Sequence, residues 1–263
     1  ENLFGGVCLR NDDEEIVLKF QTASSRNARL DVAKAVATIE SDRGETTQVR
    51  ILHDGNVVLV RSCEPVLLEP IFADTLPDAV LGETDGVSWL RMEMPGDDDY
   101  EGMVYAAGVA AQGDWKVVSL VTSFDVNGGD PLQHAIDLAK STIRHEADSL
   151  ISRHEEAWGR FWSRSGVDLA DSELQRLWYR MLYFAKTVCK PGAAPVALMP
   201  PLASDATPWH ADYHHNYNAW QAFWPLPAAN HPELADPWIS YIDEMLPRFQ
   251  WLARQRYDLE GAV

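Results

Sequence analysis

Between residues 14 and 125, apolar and polar positions alternate in short runs. Glu15–Phe20, Thr46–Leu52, Val57–Ser62, Val87–Met94, Met103–Ala111 and Trp115–Phe124 carry the β-rich texture of strands. Turn-forming residues separate them: His53-Asp54-Gly55-Asn56, Pro95-Gly96-Asp97-Asp98-Asp99 and Gln112-Gly113-Asp114. This spacing predicts an antiparallel β-sandwich. The acidic runs Asp12–Glu15 and Asp97–Asp99 read as solvated loops.

The period changes at Asn127-Gly128-Gly129-Asp130-Pro131. Asp130 is placed to cap a helix and Pro131 to occupy its first turn. Ala135, Leu138, Ala139, Ile143, Ala147, Leu150 and Ile151 then recur at helical steps, and the pattern continues to Trp158, Phe161 and Trp162. A second helix is predicted over Ser172–Cys189, capped by Asp171 and stopped by Pro191-Gly192. Lys190–Thr207 reads as a Pro/Ala loop. A third helix is expected to begin around Asn216–Asn218 and end near Pro225, and a fourth to run from about Glu233 to Tyr257. The organisation is therefore a β-sandwich domain over 1–126, a helical linker over 127–165 and a helical domain over 166–263. The helical part has strong apolar faces and few elements to cover them. It reads as a fragment of a larger protein, or as a chain whose missing helices another chain supplies, expected to be poorly soluble or associated when expressed alone.

Composition narrows the partners. The net charge of −18 and the pI near 4.7 disfavour nucleic acid and anionic membrane surfaces. No apolar run reaches membrane-spanning length. Cys8, Cys63 and Cys189 are widely spaced, odd in number and without a CxxC pair, so they read as free thiols.

The richest chemistry lies between Trp209 and Trp238, where Trp, Tyr, Phe, His and Asn crowd together. A core does not need so many polar groups, because each buried one must find a partner. Flat rings among amides and imidazoles suit a sugar, whose C–H faces stack on rings while its hydroxyls take hydrogen bonds. Trp209, Tyr213, Trp220 and Trp224 are candidates for a stacking platform, with core packing as the competing reading. Trp158, Phe161, Trp162 and Trp178 read as core. His210, Asp212 and His214 could converge from alternate positions of an extended segment, but no H-E-x-x-H and no fourth ligand accompany them. No metal and no cofactor are expected.

The order of these parts, with the run His154–Ala185 and then Asn216-Tyr217-Asn218-Ala219-Trp220-Gln221-Ala222-Phe223-Trp224-Pro225, resembles the start of family 95 glycoside hydrolases. This is the α-L-fucosidase and α-L-galactosidase group of the six-hairpin glycosidases. The ending Arg254–Val263 is similar to a segment that leads towards a further active-site loop there. Members commonly show Gln-Met-Asn-Tyr-Trp where this chain has Trp-Gln-Ala-Phe-Trp. The resemblance implies an amino-terminal β-sandwich, a helical linker and the start of an (α/α)6 barrel, truncated here. It implies inverting hydrolysis of a glycosidic bond in a glycan or oligosaccharide, an α-L-fucoside or α-L-galactoside, in a secreted or periplasmic protein. Asn216 and Asn218 would orient the attacking water, and His214 would contact sugar hydroxyls. The general acid and the carboxylate base would lie beyond Val263, leaving this fragment inactive alone. Helix capping is the competing role for the Asn pair. Two other functions remain open: a non-catalytic carbohydrate-binding or structural relative, and a helical interaction module.

Overall fold

The computed structural model describes residues 18–20, 25–53, 55–68, 77–96, 101–196, 213–215 and 217–262. Trp209, His210, Asp212, Asn216 and Cys8 lie outside the described residues. The chain divides into two compact units, Glu1–Arg160 and Phe161–Val263.

The first unit is built on strands β1 (Leu18–Phe20), β2 (Ser25–Asp31), β3 (Val36–Ser41), β4 (Thr46–Ile51) and β5 (Val57–Arg61). It continues through β6 (Val66–Leu68), β7 (Val80–Thr84), β8 (Val87–Met94), β9 (Met103–Gln112) and β10 (Trp115–Thr122). Eight of these form one antiparallel sheet in the order β2-β3-β4-β5-β10-β9-β8-β7, and β1 pairs with β6 in a two-stranded sheet. An antiparallel sheet followed by helices is the predicted order.

The side-chain period of two assigns each face of the large sheet. Leu59, Ala110 and Val117 pack with Ile136 and Ala139 of helix α1 (Pro131–Ile143) and Leu150 of helix α2 (Ala147–Trp162). The alternate residues Val49, Val60, Val109 and Val118 pack on the other face with Val66 of β6. Both faces of the central strands are thus covered, which is why Tyr105 to Ala110 are all buried in succession. Gly108 lets α1 come close. A Cβ there would meet the Ala135 carbonyl oxygen at 3.1 Å and Ser119 Oγ at 3.0 Å. Ser119 instead donates to the Ala135 carbonyl at 2.7 Å, tying sheet to helix.

The strands left out of the sequence prediction are β2, β3, β6 and β7. The large sheet ends in β2 and β7. Edge strands cover less apolar surface and carry weaker alternation. The helical run from Pro131 to Trp162 is also corrected: it is two helices, broken at Arg144–Glu146. His145 N–H closes the first on the Thr142 carbonyl, and the Glu146 carbonyl accepts from Ser149 and Leu150 N–H to open the second. The break returns Leu150 to the core that Ile136 and Ala139 already share. Further along α2, buried His154 donates its Nε2–H to the Lys34 and Ala35 carbonyls at 3.0 and 3.3 Å. Helix α2 is thereby fastened to the β2–β3 turn.

Among the described residues the second unit is helical. Helix α3 spans Ser172–Val188, with Asp171 accepting from Glu173 and Leu174 N–H as predicted. Tyr179 holds the approach to it: its hydroxyl donates to the Val167 carbonyl and accepts from Val167 N–H. Helices α4 (Tyr217–Gln221) and α5 (Pro225–Ala228) follow, and then a 3-10 turn over Pro232–Ala235. Helix α6 is the longest, Asp236–Tyr257, and ends on Asp258 in the left-handed conformation. The third predicted helix, expected to end near Pro225, is therefore shorter, Tyr217–Gln221, and α5 begins where it was expected to end. Ala219, Phe223, Leu226 and Leu234 are buried, whereas Leu174, Met181, Ile239 and Trp251 are exposed.

Candidate functional site

The segment from Tyr213 to Trp224 is fixed from below by rings. Tyr213 donates its hydroxyl to the Pro195 carbonyl at 2.6 Å and stacks on Tyr241 of α6 with ring centroids 4.9 Å apart. Burial, with the neighbouring Tyr241, pushes the Tyr213 phenol up from its ordinary value. His215 shares a hydrogen bond with the Tyr241 hydroxyl and sets its ring edge-on to Phe249 at 5.4 Å. Phe223, buried, stacks on Trp238 at 5.8 Å. These contacts seat α4 and the turn after it on α6. They are the reason so short a helix as α4 can persist, since five residues are too few to be stable on propensity alone.

With its underside occupied, α4 turns Ala219 inward and leaves Tyr217, Asn218 and Trp220 exposed. Trp220 meets Trp224 edge-on at 4.5 Å, and Tyr217 meets Trp224 edge-on at 5.5 Å. Trp224 lies outside α4, so a turn rather than a four-residue helical step brings the two indoles together. Half of Trp224's surface stays open to solvent. Two exposed rings, each meeting the exposed Trp224, beside an exposed amide form an amphipathic surface. Aromatic walls with a few polar groups are the usual makeup of ligand sites. His214 is half-buried, and its carbonyl accepts from Ala219 N–H at 3.0 Å.

The candidates thus divide. Trp220, Trp224 and Asn218 are exposed on or beside α4, and Tyr213 belongs to the ring cluster on α6. Asn216 and Trp209 lie outside the described residues. Tyr217, Trp238 and Tyr241 were not singled out by sequence. Tyr217 stands between the two asparagines, and its spacing of three from Trp220 was the available signal.

A polar group stands in the same unit. Arg164 grips Glu233 with both guanidinium nitrogens, at 2.6 and 3.1 Å, and donates to the Asn230 carbonyl at 2.7 Å. Asn230, at φ +59°, returns its amide to the Arg164 carbonyl at 2.9 Å. Buried His231 stacks on Phe161 at 4.0 Å, and its Nδ1 lies 3.3 Å from Glu233. Burial pulls the His231 imidazole below its ordinary pKa, against the opposing pull of Glu233. Burial pushes Glu233 up, but Arg164, His231 and its own backbone N–H together hold it below the usual carboxylate range. Sequence reasoning gave Glu233 no role. Its geometry is that of a clamp between the segment before α3 and the turn before α6.

Residues 147–263 match the family model described as the Glycosyl hydrolase family 95 catalytic domain. The matched stretch opens at the first residue of α2 and contains α3 to α6, Asn218, Trp220 and Trp224. The chain resembles that family as its motif residues imply, and the match points to glycoside hydrolase chemistry. No curated protein matches the chain. No helix among the described residues is long and apolar enough to cross a membrane.

Proposed function

We propose that this chain is part of an inverting glycoside hydrolase acting on an α-L-fucoside or α-L-galactoside. The observation that carries the proposal is the family 95 catalytic-domain match over 147–263, which includes the Asn216-Tyr217-Asn218 motif and its exposed rings. In this reading residues 166–263 contribute the first helices of an (α/α)6 barrel, residues 127–165 connect them to the sheet domain of 1–126, and α4 faces the substrate. Inversion requires a water held between the sugar and a base on one face, and an acid on the other. Asn216 and Asn218 hold that water. An amide oxygen is a weak base, but it accepts a hydrogen bond from water and aligns its lone pair on the anomeric carbon. Trp220 and Trp224, joined by Tyr217, give the C–H faces of the sugar an apolar surface. His214 meets a sugar hydroxyl, with Trp209 and Tyr213 completing the binding surface. The acid and the base of this mechanism are carboxyl groups.

The test is steady-state kinetics on an aryl α-L-fucoside and an aryl α-L-galactoside, with the product anomer followed by NMR, in the protein that carries this sequence. Asn218→Ala should lower kcat by on the order of 10²-fold with little change in KM, because a positioned water matters chiefly in the transition state. Trp224→Ala should mainly raise KM. Retention of configuration would remove the inverting mechanism. Unchanged turnover in Asn216→Ala and Asn218→Ala would return both residues to helix capping. Glycan binding without turnover of any glycoside would favour a non-catalytic relative, for which the exposed Tyr217–Trp220–Trp224 group is sufficient.

A further inference from the structure

A cleft of about 630 Å³ opens in the first unit, where the β9–β10 turn faces the corner between α1 and α2. Its volume falls within the roughly 300–1,000 Å³ of small-molecule sites. The floor is apolar: Trp115 and Val117 of β10 and Leu150 of α2. Trp115 is half-buried, and the Arg61 guanidinium from the paired position on β5 lies 5.5 Å from its ring centroid, which fixes the indole. The rim is polar and exposed: Arg144, His145, Glu146 and Asp148. The break that splits the helical run at Arg144–Glu146 therefore also places these side chains along the cleft that Trp115 lines.

We propose that this cleft is a second, non-catalytic saccharide site, one that takes a neutral polyhydroxylated ring. An anion would face Glu146 and Asp148, and a cation would face Arg144. A neutral sugar meets donors and acceptors of both kinds. Its apolar face has the half-buried Trp115 ring to rest on. The chemical class of ligand rests on the glycosidase reading above; the location does not, because every lining residue is outside the α4 surface. Binding here would hold a chain-like glycan on the protein between catalytic encounters, raising its effective concentration.

The experiment is a titration of the indole N–H signals by two-dimensional NMR on the protein that carries this sequence, with Trp115 assigned by its loss in Trp115→Phe. The probes are 2′-fucosyllactose, cellotetraose and inorganic phosphate. At least one of the two sugars should shift the Trp115 signal, and His145→Ala or Arg144→Ala should weaken that titration about tenfold, the scale of one lost hydrogen bond. Both residues are exposed, so their variants keep the parent melt. A Trp115 signal still under both sugars overturns the proposal, as does a shift that both variants leave unchanged. A shift under phosphate alone overturns it in favour of an anion site. Failure of the glycosidase reading shows separately, as absent turnover with or without a shift at Trp115.

Discussion

Gly108→Ala tests how α1 is seated on the sheet. The added methyl would stand 3.1 Å from the Ala135 carbonyl oxygen, 3.4 Å from its carbon and 3.0 Å from Ser119 Oγ. Two of these atoms are helix backbone, so the neighbour that must yield is α1 itself. A shift of a few tenths of an ångström would stretch the 2.7 Å bond from Ser119 to the Ala135 carbonyl and loosen Ala135 and Ala139, both fully buried. Overpacking of this kind costs about 1–3 kcal/mol. Ala gains about 0.5–1 kcal/mol over Gly in a strand from reduced unfolded-state entropy. The net expectation is a loss of about 1–2 kcal/mol, or several degrees in Tm at about 2–4 °C per kcal/mol for a domain of this size. Urea denaturation followed by far-UV circular dichroism measures it, with Ser119→Ala as a partner variant. Because the bond and the close approach share one carbonyl, the double variant should lose less than the sum of the singles. A Gly108→Ala protein as stable as the parent would show that nothing at Gly108 limits the approach of α1.

Three further outcomes follow from the same structure. Burial holds His154 and His231 below their ordinary pKa, so the unfolded chain binds protons first as pH falls. Stability should therefore be flat above about pH 6.5 and fall between about 6.5 and 5, before carboxylates titrate; equal urea midpoints at pH 7.5 and 5.5 would refute this. Cys63 is exposed and Cys189 is buried with its thiol pushed up to about 11, so a disulfide reagent should label Cys63 in the native protein and Cys189 only on unfolding. Glu233→Gln should cost about 0.5–1 kcal/mol, a value kept small by the partial exposure of Arg164 and Glu233; a larger loss in a Tm series would mean that His231 depends on that carboxylate more than its 3.3 Å contact suggests.

The fold was legible where burial imposed a period. β8, β9 and β10 lie together in the sheet with both neighbours paired, and their runs were read within a residue or two. Caps were equally legible, because Asp130 and Asp171 each bind the N–H groups that their position predicts. Ser25–Asp31 was not, since an edge strand rich in polar residues alternates little and pairs through its backbone. The split at Arg144–Glu146 was hidden for another reason. Ile136, Ala139 and Leu150 keep helical spacing across it, because both helices pack on one core.

The site was legible in kind more than in arrangement. The density of rings and amides after Trp209 marked the segment, but sequence gave no means of sorting rings that hold the backbone from rings that face solvent. That sorting depends on α6. Trp238, Tyr241 and Phe249 recur at three- and eight-residue steps along one helix, and each meets a ring in the segment from Tyr213 to Phe223. What α6 engages is Tyr213, His215 and Phe223, of which Phe223 is buried and Tyr213 half-buried. What it leaves exposed is Tyr217, Trp220 and Trp224. A substitution such as Trp238→Leu should then disturb the outer rings without touching them, because Phe223 sits one residue before Trp224 and loses its stacking partner. Positioning of the exposed surface is thus carried by residues remote in sequence, which no motif confined to residues 209–225 could have disclosed.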